Sequence, residues 1–217
     1  MALHVAYFQP TIVAIDQVPP VEFSKIYTLA SQLHDHPELN DSGNPFISIR
    51  GGQQIQVYPN QLNLDVSWLV TYLESLCQGY MELATKQSGK EDLTYCKPVV
   101  TSIWTIRQEA GQYQELHSHP GGNLSGNIYI QTPEFAEDSN PSDGQVAFRM
   151  PHTRDVSKFI MTDTWSTAPQ SGSVIVFPSH LPHTVYPWKG TGYRTVMAFD
   201  ARIEPKEEAI PPELRNG

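Results

Sequence analysis

His117-Ser118-His119 sets two imidazoles two positions apart, Pro182-His183 brings a third, and Arg194 follows 11 residues after that. Side chains on an extended strand alternate with period 2, so His117 and His119 share a face. A third imidazole on that face completes half of an octahedral shell and leaves the other positions open. Open positions on a non-haem metal allow an organic acid and dioxygen to bind together. Arg194 offers a planar fork that matches a carboxylate. Metal, open sites and an anion anchor in one chain point to metal-dependent oxygen chemistry.

Each element has a plainer explanation. Eight histidines are scattered along the chain, so an H-x-H pair also fits a polar surface strand. Gly111 before the pair, and the turn Pro120-Gly121-Gly122-Asn123 after it, place the pair at a strand end, where a metal site at the mouth of a barrel would be built. His183 follows the apolar run 173–177 and a turn bracketed by Pro178 and Pro182. His180 competes with it, but sits in the turn and is expected to face solvent, whereas His183 begins the next strand. Arg194 leads an apolar strand and would be costly to bury without an anionic partner. That partner is either an internal acid, Asp200 or Glu204, or the carboxylate of a ligand. Glu115 lies on the same strand face as His117 and His119, so it competes with His119 for a place in the ligand set.

The elements that must position these groups change character near residue 97. Before it, helical spacing dominates. Pro19-Pro20 precedes an apolar stripe of Val21, Phe23, Ile26, Tyr27, Leu29, Ala30 and Leu33, which predicts a helix. Asn63-Leu64-Asp65 offers an N-cap to a second stripe, Val66, Leu69, Val70, Leu73, Leu76, Tyr80 and Leu83, ended by Ser88-Gly89. Residues 2–15 and 46–58 read as strands. From Pro98 onward, short β runs alternate with turn residues at 99–106, 113–119, 126–131, 145–150, 158–163, 173–177, 183–187 and 193–201. Eight strands with no gap of helix length predict a mainly β fold, a double-stranded β-helix of the jelly-roll, cupin-like kind, with N-terminal buttressing helices. The expected division is 1–97 as an N-terminal α/β elaboration packing on the barrel, 98–203 as the catalytic core and 204–217 as a peripheral tail.

A chain of 217 residues with net charge −9 and no basic run argues against binding a nucleic-acid backbone. Two cysteines, Cys77 and Cys96, are too few for a disulfide framework, which predicts a reducing, cytoplasmic setting. The N-terminal residues lack the pattern of a signal peptide, and no apolar run is long enough for a membrane helix.

The segments 117–130 (HSHPGGNLSGNIYI) and 177–185 (FPSHLPHTV), with Arg194 leading a strand to Ala198-Phe199-Asp200, resemble the iron(II)- and 2-oxoglutarate-dependent oxygenase superfamily. More narrowly, they resemble the 2OG-Fe(II) oxygenases of marine bacteria and phages. The resemblance spans Trp104 to Asp200. It implies Fe(II) as cofactor, 2-oxoglutarate as co-substrate, and dioxygen and a small molecule or peptide side chain as the other reactants. Hydroxylation with release of succinate and CO2 is the implied outcome. His117 and His183 take the superfamily's histidine places, and Arg194 that of the group gripping the far carboxylate of 2-oxoglutarate. Tyr129 stands where a hydroxyl often bonds the same carboxylate, and Asn127, on the same strand face, is a second candidate. The chain departs from the pattern at His119, where the superfamily has a carboxylate ligand. Three imidazoles would leave the iron one positive charge richer, unless Glu115 supplies the acid. The alternatives are a cupin-type three-histidine dioxygenase, which needs no 2-oxoglutarate, and a non-catalytic jelly-roll binding protein. Nothing in residues 132–172 spells out a substrate chemistry, and no segment signals an oligomeric state.

Overall fold

The computed structural model describes residues 11–41, 48–59, 61–88, 92–149 and 164–206. Strand β1 (Ala14–Gln17) leads into helix α1 (Pro20–His34). Next come β2 (Ile49–Arg50), β3 (Gln53–Gln56) and helix α2 (Ser67–Ser88). The β-rich part comprises β4 (Cys96–Gln108), β5 (Tyr113–His117), β6 (Leu124–Gln131), β7 (Glu134–Phe135) and β8 (Val146–Arg149). It continues with β9 (Thr164–Thr167), β10 (Ser173–Pro178), β11 (His183–Val185), β12 (Gly190–Thr191) and β13 (Arg194–Pro205).

Two antiparallel sheets result, ordered β1-β10-β6-β13-β4-β3 and β2-β5-β11-β8-β9, with β7 and β12 paired as a small ribbon. This is the expected jelly roll, with sheets that stay open rather than closing into one barrel. Both helices pack on one face of the six-stranded sheet, as the apolar stripes require. Ile26, Leu29, Ala30 and Leu33 of α1, with Leu69, Leu73, Cys77 and Met81 of α2, meet Ile128, Val176, Met197 and Phe199 of the sheet. A buried aliphatic side chain of this size contributes about 1.5–3 kcal/mol. Val21, Tyr27 and Leu83, counted in the stripes, stand 64%, 47% and 45% exposed, because the apolar arc is wider than the sheet it covers. Pro20 sits in the first turn of α1, where its missing N–H costs nothing. At the start of α2 the Asp65 carboxylate accepts the Ser67 N–H at 2.9 Å.

Alternation along each strand gives the sheet a second, inner face. On β13, Val196 and Ala198 point inward while Met197, Phe199 and Ala201 face the helices. Trp104 and Ile106 of β4, Tyr129 of β6, and Ile175 and Phe177 of β10 join the inner side, against Ile49, Val146, Phe148 and Val185 of the second sheet.

Several boundaries moved. The strand expected at 46–58 splits at Gly51-Gly52 into β2 and β3, which lie in different sheets. Gly52 has φ +90°, and a Cβ there would come within 2.5 Å of the Arg107 carbonyl, so the crossing needs glycine. The run 113–119 stops being strand at His117, leaving His119 just beyond it. β4 and β13 outrun their expected ends, and β13 carries Glu204 within it. β9 was not anticipated. The strand expected at 158–163, residues 2–10 of the first strand, and most of the tail, 207–217, lie outside the described residues.

Candidate active site

Register brings the histidines together. β11 and β5 are antiparallel neighbours in which His183 stands directly opposite His117, and their ring centroids lie 4.2 Å apart. His119 is drawn in from beyond β5 by its backbone N–H, which donates to the Ser179 carbonyl at 2.8 Å. Its ring lies 5.1 Å from His117 and 5.2 Å from His183. Trp104 stacks on its other side at 5.5 Å. The nitrogens that the three rings can offer all fall within 4.8 Å of one another. His180 is exposed in the turn, as expected.

Hydrogen bonding fixes which nitrogen each ring presents. His117 Nδ1 meets the Glu115 carbonyl at 2.7 Å, and His183 Nδ1 meets the Leu181 carbonyl at 3.0 Å. His119 Nδ1 lies 2.9 and 3.2 Å from the two Asp200 carboxylate oxygens. These oxygens can only accept, so each neutral ring carries its proton on Nδ1 and its lone pair on Nε2. His119 Nε2 is buried with no hydrogen-bond partner. A buried basic nitrogen left without a donor is costly unless something electrophilic fills the space. Burial pushes the His183 pKa down to about 3, helped by His117, and also lowers His117. Imidazoles that turn their Nε2 atoms into one tight cluster suit a metal cation.

Glu115 does not join them. Its carboxylate receives Arg50 Nε at 2.9 Å and Nη2 at 2.5 Å on the outer side of β5.

Arg194 is 2% exposed, and burial brings its pKa down to about 10, so it stays charged at neutral pH. Neither acid considered as its partner reaches it: Asp200 turns to His119, and among the described residues no carboxylate pairs with the guanidinium. Nη2 donates to Gln108 Oε1 instead, and Gln108 Nε2 donates to the Tyr113 carbonyl at 2.9 Å, tying the arginine to the strand that bears His117. The guanidinium carbon lies 5.1 Å from the centre of the Trp188 ring. Arg194 Nη1 and Trp188 Nε1 are both buried donors without acceptors. Two such donors beside an unneutralised cation fit a carboxylate. Tyr129 is buried on the same inner face, its hydroxyl pushed up to about 12 by burial and held back by Arg194; Asn127 lies two residues before it, half-buried.

A cavity of about 390 Å³ opens beside the histidines, its walls including Asp41, Gln54, Gln56, Gln114, Ser118 and Trp104. A larger one, about 720 Å³, lies between α1 and the start of α2 and contains no histidine.

Residues 102–200, which carry all of these groups except Gln54, Gln56, Asp41 and Arg50, match the family model described as "Putative 2OG-Fe(II) oxygenase". Residues 102–200 are thus similar to the domain of the 2OG-Fe(II) oxygenases. No curated protein matches the chain in sequence. Among solved structures, a prolyl-4-hydroxylase of Pseudomonas putida superimposes with TM-score 0.58 at 16% identity, over 88% of this chain and 94% of that one. The carbocyclase SnoK of nogalamycin biosynthesis gives TM-score 0.58 at 10% identity, over 90% and 80%. HygX of Streptomyces hygroscopicus, solved with nickel, 2-oxoglutarate and hygromycin B, gives 0.56 at 12%, over 96% and 91%. At these identities the likeness is one of fold. The matched family is one of iron- and 2-oxoglutarate-dependent enzymes, and the three-histidine group of this chain suits iron.

Sequence reasoning missed two contributors. Gln108 lies two residues past the strand expected at 99–106, and only the pairing of Arg194 with Gln108 across β13 and β4 reveals its use. Trp188 stands outside any strand, and only the fold sets its ring against Arg194.

Proposed function

We propose that His117, His119 and His183 hold the iron through their Nε2 atoms, and that Arg194 grips the distal carboxylate of 2-oxoglutarate. The single observation that carries the reading is the pair of unmet needs in one interior. A buried lone pair on His119 lacks a donor, and buried donors on Arg194 and Trp188 lack an acceptor. A dication answers the first, a carboxylate the second.

Iron and 2-oxoglutarate, when bound, would activate dioxygen, the oxidant: the keto acid would give two electrons and take one oxygen atom as it becomes succinate and CO2, and the substrate would give the other two and take the second atom. The chain's own groups position and exclude. Gln108 keeps Arg194 in one orientation, Trp188 covers its face, and Tyr129 adds a hydroxyl beside it, with Asn127 a further candidate. Phe148 and Phe177, packed against the His183 ring at 5.7 and 4.8 Å, keep that side dry.

The reaction we assign is hydroxylation of a small polar molecule or peptide side chain lying in the 390 Å³ cavity. That volume suits a modest ligand. Its described lining has glutamines, serines and Asp41 but no lysine or arginine, which favours a neutral or cationic substrate over an anionic one. Among the described residues no helix is long and apolar enough to cross a membrane. The low cysteine count supports a reducing, cytoplasmic setting.

The test is anaerobic titration with Fe(II) and then 2-oxoglutarate, followed in the visible range. A weak charge-transfer band, and succinate on admitting air, are expected. Absence of both overturns the assignment.

A further inference from the structure

Among the described residues Asp200 is the one acid whose carboxylate touches the histidine cluster, and the proposed reaction does not employ it. It sits on the inner face of β13, at a register shift between Asp200 and Ala201, where a bulge re-aims the chain. Both of its carboxylate oxygens face His119 Nδ1, at 2.9 and 3.2 Å. Behind it, the buried Ser125 hydroxyl donates to Oδ1 at 2.5 Å, and the buried Ser179 hydroxyl stands 2.9 Å from the Ser125 oxygen. The acid is only 16% exposed, yet among the described residues no lysine or arginine pairs with it. A carboxylate held this way, without a cation, is unfavourable.

The three histidines are not treated alike. His117 and His183 donate to neutral backbone carbonyls. His119 alone donates to an anion, and His119 is the residue standing where the superfamily has a ligand carboxylate. Resting on the assignment of these histidines as iron ligands, we propose that Asp200 is a positioning residue that restores the missing carboxylate through His119. The arithmetic of charge supports this. Two imidazoles and one carboxylate reduce a dication to net +1, three imidazoles leave it at +2, and Asp200 beyond His119 returns the assembly to +1. The same contact locks the His119 tautomer and strengthens its Nε2 as a donor. The dication in turn provides the counter-charge that Asp200 otherwise lacks.

The experiment measures Mn(II) and Fe(II) affinity, and the visible band of the anaerobic Fe(II)–2-oxoglutarate complex. The proteins are wild type, His117→Ala, Asp200→Asn, His119→Asp and the double variant His119→Asp/Asp200→Asn. Wild type should bind metal and His117→Ala should not. Asp200→Asn should bind about 10–100-fold more weakly. Its band should move to shorter wavelength, because less electron density reaches the metal. His119→Asp sets a second carboxylate against Asp200 and should bind weakly. Adding Asp200→Asn there should strengthen binding at least about tenfold, the opposite sign to its effect in wild type. A general loss of folding cannot produce that reversal. If wild type and His117→Ala behave as stated, but Asp200→Asn stays within about threefold of wild type with an unmoved band, this inference falls alone. The same holds if Asp200→Asn weakens binding in both backgrounds. If wild type binds no metal, or His117→Ala binds as wild type does, the ligand assignment falls and takes the role of Asp200 with it.

Discussion

The two faces of the six-stranded sheet come from alternate residues of the same strands, and each face contains buried histidine. On the helix side, His34 of α1 has partners for both ring nitrogens: Gln53 Oε1 at 3.1 Å and Thr105 Oγ1 at 3.0 Å. On the inner side, His119 has an acid on Nδ1 and nothing on Nε2. Both rings are buried or nearly so, so burial does not separate them. What does is whether the surroundings close the hydrogen-bonding account. The helix face is mostly aliphatic and its histidine is satisfied, although the Tyr72 hydroxyl and Arg107 Nε on that side lack hydrogen-bond partners. The inner face leaves Arg194, Trp188 and His119 wanting partners, which is what a binding site looks like before its ligands arrive.

If that contrast is right, inner substitutions should remove chemistry with small effects on the metal-free fold, and outer ones the reverse. The largest effect is expected for His183→Gln. Succinate formation should fall to background, and metal content after purification should drop with it. Next is Arg194→Met, which removes the charged fork while keeping bulk. Truncating one partner of a buried charge pair costs about 2–5 kcal/mol, so the 2-oxoglutarate dissociation constant should rise at least about 30-fold. Metal affinity measured without co-substrate should hold; a parallel loss of both would blur the line between metal and anion sites.

On the outer face, Leu73→Ala should lower unfolding free energy by about 2–5 kcal/mol in denaturant titrations, with metal affinity unchanged. A change in metal affinity would mean that the two faces are coupled. The smallest effect concerns pH. Burial, aided by the Arg107 charge, pushes His34 down to about 4, whereas in the unfolded chain a histidine titrates near about 6.5. Between those values the unfolded state holds more protons, so stability of the metal-free protein should be level above about 6.5 and fall as pH drops toward about 4. His183 adds to the same slope. His34→Gln should flatten only its own share, seen as a shallower melting-temperature profile; an unchanged profile would show that His34 is not neutral in the fold.

Much of this was legible in the chain itself. Period-2 runs after Pro98 and two 3.6-period stripes before it specify strands and helices, because the burial of alternate or every third and fourth residue is a local property. His117, His183 and Arg194 could be singled out for the same reason: each sits at a strand edge marked by Gly or Pro. Cross-strand partners are another matter. Glu115 and His119 share one face in sequence, and neither stretch reveals that Arg50, 65 residues away, engages Glu115. Asp200 read as a partner for Arg194, on its own strand and face. The register of β13 against β4 and β6 instead places Gln108 opposite Arg194 and Ser125 opposite Asp200. The sequence by itself determined which side chains could bind a metal and an organic acid, since that depends on residue type and local period. Only the tertiary structure decided which of them face one another and which nitrogen stays bare, since register, bulges and sheet pairing join residues that no local pattern connects.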